Sequence, residues 1–369
     1  MRWPWKRKSS QDQLVVSWSA QTFAFVRARV GAAGLFEIQQ MGVERQGADS
    51  MPDFVHRLQA LGLKGREVQV MLQPEQYQLL QIDAPAVAPE ELRSAARYQI
   101  REMVQAHIDD ITLDVMRVGD GKQKEKGAGA LFVVAATNAV VREVLDLGDA
   151  LHWSVPVIDI QETAQRNLQS ALAARDGKAD RANAALVLID GHQAVLTISA
   201  NEELFYTRRL ELPEGFMAMT WSQVTEATSV SDDVFTPVGE YVPDYSVGGA
   251  AYGTDYSANP STTGKSDDAG IGVGSQGDRD RVQRFVVEVQ RSLDLWDRSW
   301  SSMPLAGLRV YAGERTVELV EWLGRETGQA VSALDADALF TGLQAMPVAD
   351  QAVCLPLLGV LLRTESRKL

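Results

Sequence analysis

Several features that are scarce in this sequence limit what the protein can be. The only cysteine is Cys354, so no disulfide can form within the chain, which is typical of a cytoplasmic protein. No apolar run reaches the roughly 18 residues needed to cross a bilayer; the longest, 352–362, has the length of one helix and contains Pro356. The start is basic but lacks an apolar segment, so we expect no secretory signal. The net charge of −13 argues against general nucleic-acid binding, which needs a basic face.

Leucine is missing from one long stretch of a chain that is otherwise rich in it. There is none between Leu212 and Leu293, and Gly, Ser, Thr, Asp and Tyr dominate at about 225–278. Such a composition cannot bury enough apolar surface to offset the entropy lost on ordering, so it predicts a disordered insertion. Two interpretations of the insertion stay open: a spacer, or a partner-binding strip built on Tyr241, Tyr245, Tyr252 and Tyr256.

The remaining composition is that of a globular protein with a distinct N-terminal tail. With 369 residues, 45% of them apolar, the chain is expected to form two or three lobes. The tail at 1–10 has cationic side chains around two tryptophans: Arg2, Trp3, Trp5, Lys6, Arg7 and Lys8. Cationic and aromatic residues together suit an anionic membrane surface, so residues 2–8 predict a peripheral membrane contact. A solubilising, disordered tail is the alternative interpretation.

The first half of the chain reads as a β-meander, a helix and a second group of strands and helices. β-Branched and aromatic residues predict strands at 14–16, 22–30 and 35–41, followed by a helix at 51–61. The pattern restarts with strands at 67–72 and 77–83 and a helix from Pro89, whose apolar stripe is Leu92, Ala96, Ile100, Met103 and His107. Strands at 111–115 and 131–136 and a helix at 139–151, capped by Thr137, complete the group. We interpret it as a small β-β-α-β-β-α domain at about 64–152, inserted in a first lobe at 11–175 that closes with a helix after Ile158.

A second meander suggests an internal duplication, with the second lobe at 184–369. Its strands are predicted at 185–189, 194–199 and 204–212. A long helix from Arg279 follows, with one apolar face made of Val282, Phe285, Val286, Val289, Leu293, Trp296 and Trp300. A strand at 308–312 ends at Gly313 and runs into a helix with Val317, Val320 and Leu323 on its buried face and Gly328 as its stop. A strand that ends in glycine and enters a helix is where many nucleotide-binding folds hold a ligand.

Motifs of catalysis and metal binding are scarce. The chain has no Walker sequence, and His107 and His152 lie in different predicted elements without companion ligands. The residues therefore predict no metal site and no catalytic residue.

Five stretches carry a resemblance to a known family: PEEL at 89–92 leading to ITLD at 111–114, FVVAA at 132–136, PVID at 156–159, EVQRSL at 288–293 and LLGVLLR at 357–363. Together with the order of the elements, they resemble the actin-like ATPase (ribonuclease H-like) fold, a mixed α/β fold with two lobes. Within it they are most similar to the PilM-like type IV pilus assembly proteins, particularly MshI of the mannose-sensitive haemagglutinin (MSHA) pilus. The resemblance covers the chain except for the 225–278 insertion.

The resemblance implies a site for ATP with Mg²⁺ between the lobes, and the matching positions are altered. The first hairpin, at 17–20, has Trp18 but no carboxylate for a metal and no glycine for a phosphate. The second keeps Asp190 and Gly191, and the strand–helix turn has the single glycine Gly313. Glu288, Arg291 and Ser292 match positions that contact adenosine in relatives; a solvated helix face is the alternative. These six residues form a degenerate nucleotide site at which we expect no hydrolysis.

The function implied is that of a cytoplasmic scaffold, peripheral to the inner membrane, in MSHA-type pilus biogenesis. It would belong to a pilus motor complex and dock the N-terminal peptide of a PilN-like inner-membrane protein. The resemblance places the peptide groove near the 92–103 helix and the 14–41 meander. Two alternatives stay open: an ATP-binding actin-like ATPase or sugar kinase using Asp190, and a GspL-like component of type II secretion, a relative that normally continues into a membrane helix.

Overall fold

The computed structural model describes residues 12–19, 22–31, 35–119, 129–189, 191–221 and 276–364. Three predicted features therefore lie outside the described residues: the 1–10 tail, Asp190, and the insertion from 225 up to 275 with its four tyrosines. Residues 276–278, predicted as the end of the insertion, are the start of a helix.

Three β-sheets and seven α-helices make up the described part of the chain. The strands are β1 Asp12–Trp18, β2 Thr22–Val30, β3 Phe36–Arg45, β4 Glu67–Leu72, β5 Tyr77–Asp83, β6 Ile111–Arg117, β7 Ala130–Thr137, β8 Ser154–Ile160, β9 Ala182–Ile189, β10 Gln193–Ala200, β11 Glu203–Glu211, β12 Leu305–Tyr311, β13 Val331–Ala333 and β14 Phe340–Thr341. The helices are α1 Met51–Ala60, α2 Leu92–Gln99, α3 Asn138–Ala150, α4 Gln161–Arg175, α5 Gln276–Ser299, α6 Thr316–Thr327 and α7 Val348–Leu361. None of the described helices combines the length and apolar composition required to cross a membrane.

The first sheet has the strand order β14-β3-β2-β1-β4-β8 and is buried on both faces. β1 and β2 pair antiparallel with Val15 opposite Val26, so alternate residues point to opposite faces. Leu14 and Phe23 pack on one face with α1 and α3, and Val15 packs on the other with α4 and α7. The near-continuous apolar runs of these strands follow from burial on both faces.

The second sheet has the order β11-β10-β9-β12-β13 and packs against α5 and α6. The predicted apolar face of α5 is confirmed, because Phe285, Val289 and Trp296 lie in this core. One prediction for α6 is wrong: Val317 is 68% exposed, and Trp322 takes the buried position instead. The helix begins at Thr316 rather than at Glu314, and its buried residues are Leu319, Trp322 and Leu323.

Two helices, α4 and α7, lie between the two sheets. Their shared core joins Val15 and Val26 of the first sheet to Val187 of the second, with Leu168 and Leu358 between. The halves of the chain are therefore not separated as the predicted boundary at 184 implied, because β14 and α7 come from the second half and pack against the first sheet. β14 pairs parallel with β3, a contact between distant residues that no local pattern indicates.

The inserted module is a three-stranded antiparallel sheet, β5-β7-β6, between two helices. It has one strand fewer than the predicted β-β-α-β-β-α domain. β4 belongs to the first sheet, where it pairs parallel with β1 and β8. The helix stripe also ends earlier than predicted: Met103 and His107 are exposed, because the chain leaves the helix after the turn Ile100–Glu102.

Helix α2 and the meander belong to different cores, which bears on the expected peptide groove. α2 packs on one face of the inserted sheet through Leu92, Ala96 and Ile100. Helix α3 packs with the first sheet through Val144 and Leu147. The 92–103 helix and the 14–41 meander, expected to flank a common groove, therefore contribute to separate clusters.

Alkaline conditions are expected to destabilise the core around α7. Cys354 is fully buried, and its thiol donates to the carbonyl oxygens of Phe25 and Gly42. Burial raises the pKa of the Cys354 thiol from 9.0 to about 12, and burial likewise raises that of Tyr311 from 10.0 to about 12. Because both folded-state pKa values are raised, this contribution to stability is complete below pH 9 and is lost as the pH rises towards 12. Each group changes the unfolding free energy by up to about 1.4 kcal/mol per pH unit.

Urea unfolding at pH 8, 10 and 11 measures this loss. The Cys354→Ala variant is the control, since its stability should depend less steeply on pH than that of the wild type. A wild-type stability that stays constant across this range would contradict the prediction.

Candidate functional site

A cavity of about 760 Å³ lies between the two sheets, where the ends of several elements meet. Its volume is within the range of small-molecule sites. The first lobe contributes the β1–β2 hairpin, the end of β4 and the start of α4. The second lobe contributes the turn after β9 and the link from β12 to α6. The first half of α7 forms the remaining wall of the cavity. The lining includes Ser19, Thr22, Val43, Arg45, Met71, Gln73, Glu75, Gln161, Ile189, Gly191, Met217, Tyr311, Gly313, Glu314, Arg315, Ala352, Val353 and Pro356.

Gln161 is the buried polar group of this cavity that has unused hydrogen-bonding capacity. It is the first residue of α4 and is 2% exposed. Its side-chain Nε2 has no hydrogen-bond partner in the described part of the chain, although it lines the cavity. A buried amide without a partner costs free energy, so it indicates a place for an acceptor atom of a ligand or for water. Sequence analysis missed Gln161; its position directly after the PVID strand was the available signal.

Arg315 lines the cavity but is held by the protein itself. Its guanidinium donates to both carboxylate oxygens of Glu318, at 2.9 and 2.6 Å, and to the carbonyl oxygens of Met217 and Met219. It also lies over the ring of Trp221, 3.8 Å from the centroid. The hydrogen bond from Arg315 holds the pKa of the Glu318 carboxyl below its ordinary value. These contacts fix the start of α6 and leave little of the guanidinium for a ligand.

The first hairpin is also held in place by hydrogen bonds within the protein. The Ser17 hydroxyl is buried, donates to the carbonyl oxygen of Met71 at 2.8 Å, and accepts from Gln73 Nε2 at 2.6 Å. These bonds fasten β1 to β4 at the position where the resemblance implies a metal-binding carboxylate and phosphate-binding glycines.

The two glycines of the predicted site do line the cavity. Gly191 and Gly313 have φ of +79° and +58°, conformations that favour glycine. A Cβ at Gly191 would contact Met217 at 3.5 Å, and one at Gly313 would contact Ala352 at 3.4 Å. Glycine is therefore required at these two positions by the positive φ of the tight turns. The space beside each glycine is already occupied by a side chain of the protein.

The three helix residues of the predicted site lie elsewhere. Glu288 lines a separate groove of about 390 Å³ between β11 and α5, where it pairs with Arg208 and, at 2.8 Å, with Arg291. Ser292 is fully buried, and its hydroxyl donates to the Glu288 carbonyl oxygen at 2.8 Å. Arg291 is exposed, as we expect if this part of α5 is a solvated helix face. Among the described residues, the fold thus brings Gly191 and Gly313 to the cavity between the sheets but not Glu288, Arg291 or Ser292.

The cavity as described does not fit a magnesium-bound triphosphate. Such a group requires carboxylate or water oxygens around the metal and cations or free backbone N–H groups around the phosphates. The described lining has two carboxylates, Glu75 and Glu314, and two arginines, Arg45 and the engaged Arg315. Within the described ranges, no three Asp, Glu, His or Cys side chains are grouped so that they could hold a metal ion. Apolar side chains such as Val43, Ile189 and Val353 fill much of the wall.

A buried ion pair beside the cavity joins the three modules of the protein. Arg209 of β11 donates to Glu162 Oε1 of α4 at 3.1 and 3.0 Å and to the Pro74 carbonyl oxygen at 2.6 Å. Tyr77, the first residue of the inserted sheet, donates its hydroxyl to the other Glu162 oxygen. Burial raises the pKa of Tyr77 well above its ordinary value, so its hydroxyl stays a donor. Arg209 also stacks on the Tyr77 ring, 4.6 Å from the centroid.

Comparison with known proteins bears on the fold. No protein-family model and no curated protein sequence matches the chain. The solved PilM-PilN type IV pilus biogenesis complex is 13% identical, covers 95% of this chain and 98% of that chain, and has a TM-score of 0.59. The cytoplasmic domain of EpsL, an inner membrane component of the type II secretion system of Vibrio cholerae, is 17% identical, covers 63% of this chain and 80% of its own, and has a TM-score of 0.38. A Bacteroides thetaiotaomicron protein with actin-like ATPase fold and unknown function is 10% identical over 60% of this chain and 76% of its own, with a TM-score of 0.35.

The fold expected from the sequence is confirmed: the chain is a mixed α/β protein that shares the fold of the PilM-PilN structure, with an inserted module in its first lobe. At these sequence identities the likeness extends to the fold alone.

Proposed function

We propose that the protein is a non-catalytic scaffold of type IV pilus assembly that binds the N-terminal segment of a PilN-like inner-membrane protein. The observation that carries the proposal is the match to the PilM-PilN complex, which spans 95% of this chain and 98% of that chain. It includes both lobes and the inserted module, so the chain has the parts on which a similar partner surface could be built. The protein would act in the cytoplasm at the inner membrane, within a pilus motor complex, with residues 2–8 contacting the membrane.

The MSHA pilus is the finer proposal for the system that the protein serves. It rests on the resemblance of EVQRSL at 288–293 and LLGVLLR at 357–363 to the corresponding helices of MshI. In this structure the first stretch lies within α5, and the second covers the end of α7, which stops at Leu361.

Peptide binding tests the scaffold proposal directly. The full chain is titrated calorimetrically with a synthetic peptide of the N-terminal cytoplasmic segment of the PilN-like protein from the same organism. We expect saturable binding with one site per chain, and none for a scrambled peptide of equal composition and charge. If neither peptide binds the full chain, the proposed partner is wrong.

An ATP-binding role is the second candidate, and the unpartnered amide of Gln161 is the observation that favours it. We nevertheless expect neither turnover nor a measurable heat when Mg-ATP is added at micromolar concentration, because the described lining offers few free cations and a largely apolar wall. Calorimetry and phosphate release measure both, with an assay of Mg²⁺-free ATP as the control. Micromolar affinity with turnover would identify an active ATPase and reverse the order of the two proposals.

A further inference from the structure

The groove of about 390 Å³ between β11 and α5, which we call the arginine groove, is basic on an acidic protein. Its four arginines are Arg208 and Arg209 on β11 and Arg281 and Arg284 on α5. Among the described residues that line it, the acidic ones are Glu211 and Glu288, so arginines outnumber carboxylates two to one. The whole chain carries a net charge of −13. A groove of the opposite sign attracts anionic groups.

The two arginines on α5 are the ones best placed to bind an anion. Arg208 and Arg209 each pair with a carboxylate of the protein. Arg281 and Arg284 are exposed and three residues apart, so they lie on the same face of the helix. The Nε of Arg284 donates to the Asp280 carbonyl oxygen at 3.2 Å, and its two Nη atoms have no hydrogen-bond partner among the described residues. These Nη groups can form the paired hydrogen bonds by which a guanidinium binds a carboxylate.

The arginine groove lies close to both ends of the segment 222–275, which is outside the described residues. Helix α5 starts directly after this segment, and Arg281 is in its second turn. At the other end, Trp221 packs on Phe216 with ring centroids 5.1 Å apart, and Phe216 packs at 5.2 Å on Phe285, which lines the groove. Because both ends are held there, the segment is present at the groove at a far higher effective concentration than a free peptide would be.

The segment is also complementary to the groove in charge and in chemistry. It has eight acidic residues and one lysine, a net charge of −7, which is more than half of that of the whole chain. Three of its four tyrosines directly follow an acidic residue, in Glu240-Tyr241, Asp244-Tyr245 and Asp255-Tyr256. A guanidinium binds a carboxylate and stacks on an aromatic ring. The protein already uses this combination at Arg209, which pairs with Glu162 and stacks on the Tyr77 ring.

We propose that the arginine groove is a docking site for the segment 222–275 of the same chain, which binds through its acid–tyrosine pairs. Arg281 and Arg284 would bind carboxylates of the segment, and the neighbouring tyrosine rings would stack on the guanidinium groups. The sequence left the segment open as a spacer or as a partner-binding strip, and the groove gives it a partner within the chain. An acidic protein that binds this groove would have to displace the segment. This inference goes beyond the scaffold proposal and does not depend on it.

Limited proteolysis of the full chain with chymotrypsin tests the docking. The protease cleaves after tyrosine, and mass spectrometry of the fragments reports cleavage at the four tyrosines of the segment. Docking reduces the population that the protease can reach, and salt weakens exposed ion pairs. We expect cleavage within 222–275 to accelerate by about fivefold or more between about 50 and about 500 mM NaCl. A synthetic peptide of residues 236–260 corrects for the effect of salt on the protease itself.

Arginine variants show whether the groove is the docking site. We expect the double variant Arg281→Gln with Arg284→Gln to be cleaved within the segment about fivefold or more faster than the wild type at low salt, and to respond little to added salt. The double variant with lysine at both positions keeps the charge and should be cleaved more slowly than the glutamine variant. The matched control is Arg142→Gln with Arg298→Gln, two exposed arginines on α3 and at the far end of α5. It changes the net charge equally and should be cleaved like the wild type.

The outcomes separate docking within the chain from the alternatives. Equal cleavage of the groove variant and the control variant would overturn the proposal, as would a wild-type rate that does not respond to salt after correction. Docking within one chain predicts a rate that is unchanged on tenfold dilution of the protein at a fixed protease concentration. A rate that rises on dilution would show that the segment binds the groove of a second copy and would overturn the assignment to the same chain. If the glutamine variant does not melt cooperatively, the corrected salt response of the wild type decides.

Discussion

We expect Gly359→Ala to lower the unfolding free energy by about 3 kcal/mol, a large effect for one added methyl group. Gly359 lies in α7 where that helix crosses α4 between the sheets. A Cβ at this position would lie well under 3.0 Å from the carbonyl oxygen of Ala164. The obstacle is backbone inside a helix, so it cannot move aside as a flexible side chain would. The helices would have to separate, which would also stretch the 3.0 Å bond from Asn167 Nδ2 to the Gly359 carbonyl oxygen.

The matched control is Gly324→Ala in α6. A Cβ there would lie 3.8 Å from the Val331 side chain and 4.0 Å from the Gln329 carbonyl oxygen, both ordinary van der Waals distances. Alanine is the better helix former by up to about 1 kcal/mol, so this variant should be neutral or more stable. Thermal unfolding measures both variants, and we expect Gly359→Ala to melt roughly 5 °C or more below the wild type. Similar melting temperatures for the two variants would show that α4 and α7 do not pack as closely as described.

The second large effect is expected from Arg209→Met, at about 3–5 kcal/mol. Glu162 is 1% exposed and has Arg209 and Tyr77 as its side-chain partners. Removing the guanidinium would leave a buried carboxylate with one neutral donor, and an uncompensated buried charge is costly. It would also free the Pro74 carbonyl oxygen and thereby loosen the second lobe from the turn that enters the inserted module.

The neighbouring arginine of β11 is the control. Arg208 points to the other face of the strand and pairs with Glu288, and both side chains are partly exposed, so Arg208→Met should cost less than about 1 kcal/mol. In the double variant with Arg209→Met, Glu162→Gln removes the buried charge and should recover part of the loss. Thermal unfolding of the four proteins tests this. If Arg209→Met and Arg208→Met melt alike, Arg209 does not join the modules as proposed.

Much of the local structure was predictable because its causes are local. Short runs rich in apolar and β-branched residues located both meanders, and the Val140 N–H bonds to the predicted capping hydroxyl of Thr137 at 3.4 Å. Gly328 ends α6 with φ of +64°, the left-handed conformation that glycine adopts without strain. The resemblance also predicted how these elements assemble into a two-lobed fold, and the comparison with solved structures confirmed that fold.

The candidate site was less predictable. Its glycines could be located because a turn with positive φ is a local requirement. Gln161 could not be found from composition, because its significance depends on the absence of a partner for a buried amide. Glu288 and Ser292 were assigned by position in a motif, whereas their side chains bond to Arg208 and to the helix backbone.

The sequence by itself determined most of the strands and helices and the apolar face of α5, since periodicity, caps and turns act over a few residues. Only the tertiary structure decided which sheet each strand joins. β4 could pair within the inserted module or with β1, and long-range parallel pairing selected β1. The same holds for α4, whose Gln165 and Gln169 look solvent-exposed by pattern but bond to β-strand carbonyl oxygens. A helix covered by a sheet on each side must bury its polar face as well, and no local pattern records that second sheet.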